Sequence, residues 1–373
     1  MGKIFLKYLR YCCLAMVVLT AGSSCDVHEW PETDFSTTDF ALHLQFDTDL
    51  PLYQEIYYSR GDLSALDQDS RTSIYDHDIR HIIEVYPAGS GSKSRATASP
   101  VCSFVYNESS VVNFDRTYNV KLPEGDWDIY VFTDFVDAGS QNDKYYKTSD
   151  FSAIIYPDRG SYSGSNECRQ VFRGMTSVHV EHPYRFLEDE TLPSYEAIVE
   201  MRRPMARYEF ISTDMDEFIK LLPNISSRYR ESRGNDDPAA ESDGSRSLSR
   251  ADIEEFKVVF RYTAYMPSQY NVFSDKPTDS WTGMTYESRM DIVEDGISLG
   301  FDYLFVNGSE AIANVACEVY NGDGEKIAST PSIEVPVIRS KNTIIKGEFL
   351  SSSSSGGVTI QPGFDGDYNI EIQ

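Results

Sequence analysis

The groups that could do chemistry in this chain are 59 carboxylates, 6 histidines and 6 cysteines, and few of them fall into a working pattern. His179-Val-Glu-His182 has the residue types of a metal site. On a strand, however, side chains three apart point to opposite faces. His77 and His81 do not complete a recognisable ligand set with them, and no Cys-x-x-Cys pair exists to hold zinc. Asp365-Gly-Asp and Asn321-Gly-Asp-Gly324 lack the carboxylate ladder of a calcium loop and read better as turns. Arg60-Gly61-Asp62 is an integrin-type tripeptide in a polar stretch. Carboxylate pairs of the glycosidase kind have no supporting motif, and there is no Gly-x-Ser-x-Gly, phosphate loop or dinucleotide fingerprint. The expectation is a protein that is not an enzyme, with no catalytic residues, metal or cofactor.

One thiol does sit in a reactive context. Lys3, Lys7 and Arg10 form a basic leader, Tyr11 to Thr20 is apolar, and Ala21, Gly22, Ser23 and Ser24 run directly into Cys25. The apolar run is too short for a permanent transmembrane helix, which needs about 20 residues. The arrangement resembles a bacterial lipobox, in which signal peptidase II cuts before a cysteine carrying diacylglyceryl; Gly22 departs from the usual Leu or Val. Residues 1–24 then read as a signal peptide and Cys25 as the lipidation site, with palmitate-type chains. Each buried CH₂ contributes about 0.8 kcal/mol, so three acyl chains would hold the protein on a membrane permanently. The acidic segment Asp26-Val-His-Glu-Trp-Pro-Glu32 is similar to surface-export signals of Bacteroidota lipoproteins. The expected place is the outer face of the cell outer membrane.

The remaining cysteines are Cys102, Cys168 and Cys317. Three is an odd number at wide spacing, so no disulfide framework is implied, although one bridge, Cys102 with Cys168 first, is open. Cys317 lies in an alternating segment and reads as a small buried hydrophobe. The net charge of −26 becomes −29 once the three positive charges of the leader leave. Such a field repels phosphate backbones, so nucleic acid is not an expected partner.

Stepping along the chain, 25 Tyr and 20 Phe favour sheets over helices. After a tether at 25–38, Phe40–Phe46 alternates as a strand, followed by a long polar loop to Asp78. Arg80–Tyr86, Val101–Tyr106 and Val111–Leu122 read as strands. Pro123 and Gly125 turn the chain into Trp127, Ile129 and Val131 on one face, with Asp128, Tyr130 and Phe132 on the other. A polar loop Asp137–Asp150 precedes strand candidates at Phe151–Tyr156 and Ser177–Val180. A second block opens near Glu196, with strands around Pro204 and a short helix from Ser212 or Thr213 to Leu222. Residues 224–250 form a Ser-, Arg-, Asp- and Gly-rich insert too poor in apolar groups to order itself. Glu255–Met266, Ser298–Asn307, Ala313–Tyr320, Ile333–Ile338 and Asn342–Leu350 read as strands. Ser351–Gly357 links to a last one at Tyr368–Ile372.

Taken together, the lipobox, the turn-strand Leu122-Pro-Glu-Gly-Asp-Trp-Asp-Ile-Tyr-Val-Phe-Thr-Asp134, Arg203-Pro-Met-Ala-Arg-Tyr-Glu-Phe210 and Val335-Pro-Val-Ile-Arg-Ser-Lys-Asn-Thr-Ile-Ile-Lys-Gly-Glu-Phe-Leu350 carry a resemblance. The chain resembles fimbrillin-like lipoproteins of Bacteroidota, the anchor and accessory subunits of type V (FimB- and Mfa-type) fimbriae. The resemblance implies an all-β fold of two tandem transthyretin-like β-sandwich domains, at 39–195 and 196–373, with a short helix and long loops. It also implies fimbrial subunits as partners, joined by strand exchange in which an extended segment of one completes the sheet of the next. The alternative function is a stand-alone surface lipoprotein that binds a glycan or host protein through aromatic loops.

Overall fold

The computed structural model describes residues 37–47, 77–89, 99–109, 115–181, 195–215, 217–218, 253–293, 296–351, 358–362 and 368–372. It is an all-β protein. The first eight strands are β1 Thr37–Phe46, β2 His77–Pro87, β3 Cys102–Glu108, β4 Arg116–Pro123, β5 Gly125–Asp137, β6 Ile154–Ile155, β7 Phe172–Val180 and β8 Tyr195–Met201. The second series is β9 Met205–Ser212, β10 Lys257–Tyr262, β11 Tyr265–Asn271, β12 Lys276–Thr282, β13 Thr285–Arg289, β14 Asp291–Val293 and β15 Gly296–Phe305. It continues with β16 Glu310–Tyr320, β17 Lys326–Ser329, β18 Ile333–Ile338, β19 Asn342–Gly347, β20 Val358–Pro362 and β21 Tyr368–Ile372.

The first sandwich packs the sheet β4-β1-β8 on the sheet β3-β2-β5-β7. Its filling follows from the two-residue period of each strand. Phe40, Leu42, Leu44 and Phe46 of β1 point inward and meet Ile83, Val85, Ile129 and Val131 from the other layer. The β8 strand pairs in parallel with β1, so it completes the first sandwich. One corner is tightly closed. The backbones of Arg173 and Arg202 bond each other in both directions at 2.9 Å, and Gly174 lies where any Cβ would strike Val199 and the Glu200 carbonyl.

The chain leaves the first sandwich after Met201, and Pro204 accepts a bond through its carbonyl from the Val306 amide at 3.1 Å. The second sandwich faces the six-stranded sheet β14-β15-β9-β19-β21-β20 with the sheet β13-β10-β16-β17, in which β18 also pairs with β16. A small third sheet, β12-β11-β6, is made from both halves of the sequence. This explains why β2 is buried along ten consecutive residues, from His77 to Tyr86, instead of alternating. One of its faces looks into the first sandwich, while Ile82 and Tyr86 on the other belong to a core continuous with the second.

Several expectations are corrected by this arrangement. The helix expected after Ser212 is helical where it is described, at Met215, Glu217 and Phe218, with the Phe218 amide on the Asp214 carbonyl at 2.9 Å; residues 216 and 219–222 lie outside the described residues. The Phe151–Tyr156 strand shortens to Ile154–Ile155, because Tyr146, Phe151 and Tyr156 are drawn into the core from an irregular path. Glu255–Met266 is two strands that separate at 263–264. Cys102 and Cys168 do not form a disulfide: Cys102 is on β3, and Cys168 is buried in a 3-10 turn at Glu167–Arg169. Cys317 is a buried hydrophobe in β16 as expected, its thiol pushed up to about 12 by burial.

Candidate functional site

Among the described residues, those singled out for chemistry do not come together. Cys25, Arg60-Gly61-Asp62, His182, the 224–250 insert and Asp365-Gly-Asp all lie outside the described residues. His77 and His81 share one face of β2, but four residues of strand set them about 13 Å apart, too far to share an ion. Each has its own partner: His77 bonds the Tyr145 hydroxyl at 2.8 Å and His81 the Thr133 hydroxyl at 2.9 Å. Burial first, then the charge of Arg116, lowers the His81 pKa to about 3, so this imidazole stays neutral. His179 is exposed on β7 and pairs with Asp126 at 2.7 Å. Asn321 folds its own turn, its Oδ1 accepting from the amides of Asp323 at 3.1 Å and Glu325 at 2.8 Å. Among the described residues no group of three or more His, Cys, Asp or Glu is placed to hold a metal.

What the fold does build is a seam of buried arginines and aromatic rings where residues 138–171 meet the second sandwich. Arg169, at the end of the 3-10 turn, is 2% exposed and Asp302 of β15 is 1% exposed, and the two are in direct ion contact. The guanidinium lies over the ring of Tyr162 at 4.0 Å and near that of Tyr156 at 5.0 Å. Asp302 also accepts hydroxyl bonds from Tyr162 and Tyr262, both at 2.5 Å. Tyr262 is bonded in turn to Tyr208 at 2.9 Å. Burial opposes the charge on Arg169, but Asp302 and the surrounding tyrosines outweigh it and hold the guanidinium more firmly protonated than a free one.

The motif Arg203-Pro-Met-Ala-Arg207 forms the neighbouring part of this seam. Arg203 donates to the Gln170 side chain at 2.8 Å and lies over Phe172 at 4.6 Å. Arg207 donates to Glu209 at 2.7 Å and to Asn342 at 3.1 Å, and stacks 4.0 Å from Phe301. Glu167 accepts from Arg207 at 3.4 Å and from the Tyr303 hydroxyl at 2.6 Å. In the sequence this motif carries a family resemblance, but nothing there assigns its arginines a task. Arg169 and Asp302 gave no signal at all, since one lies in a polar-reading stretch and the other in a strand buried on both sides.

The second feature is the inventory of sheet edges. An edge strand offers unpaired backbone groups to another chain, and natural proteins blunt it with short strands, charges, prolines or bulges. Here β14 has only three residues and β17 only four. The β12 edge carries Lys276, Pro277 and Asp279, and its pairing with β11 shifts register twice. By contrast β20 is Val-Thr-Ile-Gln-Pro, without a charge and with its proline only at the last residue, and among the described residues nothing pairs on its far side. Among the described residues no helix is long and apolar enough to cross a membrane.

A family model matches residues 36–373, most of the chain. The chain belongs to a family of unknown function (DUF6562). No curated protein matches it. Among solved structures, this DUF6562 member is similar to a candidate polysaccharide-binding protein (DUF1812) from Bacteroides thetaiotaomicron, at 7% identity over 78% of this chain and 79% of that one, with a TM-score of 0.40. It is also similar to the fimbrial anchor protein Mfa2 from Porphyromonas gingivalis, at 9% identity over 78% and 82%, with a TM-score of 0.35. A fimbrial assembly protein from Parabacteroides distasonis matches at 10% identity over 90% and 98%, with a TM-score of 0.37.

Proposed function

We propose that this DUF6562 protein is a surface lipoprotein of the outer membrane that acts as an anchor or accessory subunit of a fimbria and joins its partner by β-strand addition. The observation that carries the reading is the position of β1. It begins at Thr37, twelve residues after Cys25, and is the central strand of its sheet, bonded to β4 on one side and β8 on the other. A chain of that length reaches at most about 40 Å when fully extended. A lipid on Cys25 would therefore keep the first sandwich close to the bilayer. A pull on the tether would load two ladders of β1 together, in place of peeling one edge strand.

The second sandwich supplies the partner side. The uncharged edge of β20 is suited to receive an extended segment, whose main chain would bond to the edge while alternate side chains select the partner. The resemblance of Leu122–Asp134, Arg203–Phe210 and Val335–Leu350 to fimbrillin-like lipoproteins supports the same assignment.

The test has two parts. Cys25→Ala is expected to move the protein from the outer-membrane fraction to the soluble fraction and to abolish incorporation of labelled palmitate. Retention of both membrane association and label by the variant would overturn lipidation at this thiol. Cross-linking from residues introduced along β20 is expected to trap a fimbrial stalk subunit on intact cells. Recovery of uncross-linked monomer alone, from cells that display assembled fimbriae, would overturn the strand-addition role.

A further inference from the structure

The two sandwiches are bound to each other by more than a linker. Residues 138–171 leave the first sandwich between β5 and β7, yet their apolar side chains lie in the core of the second. Tyr146 and Tyr156 pack against Phe305 at ring distances of 6.0 and 6.1 Å. The backbone is committed too. Ile154 and Ile155 pair with Tyr270 and Gln269, and the Ser165 amide donates to the Phe301 carbonyl at 2.7 Å. The exchange is reciprocal, because the turn after β11 returns a side chain. Phe273 sits edge-on between Tyr86 at 5.2 Å and Tyr130 at 5.1 Å, both on the outer face of the first sandwich. Beside it the Val272 carbonyl accepts from Arg173 Nε of β7 at 3.0 Å, and the Val272 amide donates to the Phe151 carbonyl at 2.8 Å.

These contacts divide into two physical roles. The aromatic plug and the β6–β11 pairing supply the free energy, since separating the halves would expose large rings to water. The Arg169–Asp302 contact supplies little net stability, because both ions must be stripped of water. Its effect is on register. A docking shifted by one residue would leave a guanidinium and a carboxylate unpaired among tyrosine rings.

We infer that the plug of Phe273 in its Tyr86–Tyr130 socket, held in register by Arg169 on Asp302, couples the two sandwiches into a single mechanical and folding unit, so that neither opens alone. Such a brace would carry a load between a tether on β1 and a partner on the second sandwich. The coupling stands whether or not Cys25 is lipidated, so its test is separate from that of the anchor role.

The experiment is single-molecule stretching of the mature chain held at residue 26 and at the C-terminus, with a Phe273→Ala variant beside it. One rip that releases both sandwiches together is expected for the parent. Two rips, one matching the 37–201 stretch, are expected for Phe273→Ala. Two rips in the parent would overturn the inference, and so would an unchanged single rip at unchanged force in the variant. Should Phe273→Ala fail to fold, native-state hydrogen exchange on the parent decides. Amides of β5 and β15 are then expected to converge on one opening with the same denaturant dependence, and separate openings would overturn the claim.

Discussion

Arg80 of β2 and Asp134 of β5 sit directly opposite each other on neighbouring strands of one sheet and form a two-pronged ion pair, Nε to Oδ1 at 2.9 Å and Nη2 to Oδ2 at 2.7 Å. Both side chains are almost wholly buried, at 3% and 0% exposure. The same guanidinium reaches Asp143 at 3.0 Å, the Thr148 hydroxyl at 3.1 Å and the Gln141 carbonyl at 2.7 Å. The stretch from Asp137 to Asp150, which reads as a polar loop, is therefore clamped by one arginine.

That geometry sets an asymmetric expectation. Arg80→Met leaves Asp134 as an unpaired buried charge and is expected to cost about 3–5 kcal/mol in urea unfolding. Adding Asp134→Leu removes the orphaned charge and is expected to restore most of the loss. Equal losses in the single and double variants would show that the clamp on the loop, and not the buried pair, carries the effect.

The neutral imidazole of His81 gives a pH dependence with a definite sign. Its folded pKa is about 3 against 6.5 in the unfolded chain. Between those values the unfolded state binds the extra proton, so this residue's contribution falls as the pH drops below about 6.5. The slope is at most about 1.4 kcal/mol per pH unit, and the loss levels off near pH 3. Asp134, raised to about 6 mainly by burial, titrates in the same window with the opposite sign. The difference between parent and His81→Gln isolates the histidine. The stability gap is expected to move in favour of His81→Gln as the pH falls from 7 to 4, and a gap independent of pH would refute the neutral assignment.

How much of this was legible in the sequence depends on how each strand is covered. Phe40, Leu42, Leu44 and Phe46 alternate because β1 has one buried face, and the pattern names them directly. The β15 strand is buried on both faces from Ile297 onward, so nothing in Gly-Ile-Ser-Leu-Gly-Phe-Asp-Tyr-Leu-Phe marks Asp302 as the acceptor for an arginine 133 residues away. The exposed β12 strand, Lys-Pro-Thr-Asp-Ser-Trp-Thr, has the opposite problem, since a mostly solvated edge needs no apolar period. Long-range polar pairing and solvated edges leave no local trace, and the candidate site is made of those two things.

Gly174 is a second place where topology dictates a residue. A Cβ there would lie 2.4 Å from Val199 Cγ1, 2.5 Å from Met201 Sδ and 2.9 Å from the Glu200 carbonyl oxygen. The side chains could rearrange, but the carbonyl belongs to β8 and is fixed by its pairing with β1. Gly174→Val is expected to push β7 from β8 and cost about 1–3 kcal/mol, as overpacking does. Faster hydrogen exchange of the Arg202 amide, which bonds the Arg173 carbonyl, would locate the damage at this corner. Parent-like stability and protection would mean the two sheets do not need this close approach.

The 224–250 insert offers the converse case, a long stretch whose Ser-, Arg-, Asp- and Gly-rich composition predicts that the fold can spare it. Its flanks meet without it, with Phe218 and Phe256 packing ring to ring at 5.2 Å inside the second sandwich's core. A chain that closes on such a contact needs only a few residues to turn back. Shortening the connection between two fixed ends lowers its closure cost by about 0.6 kcal/mol per halving. Replacing 224–250 by a short Gly-Ser linker is therefore expected to leave the melting temperature level or slightly raised, and the Phe218–Phe256 packing intact by NMR. A fall of roughly 5 °C or more, upwards of 1 kcal/mol for a chain of this size, would show that the insert makes stabilising contacts its composition does not suggest.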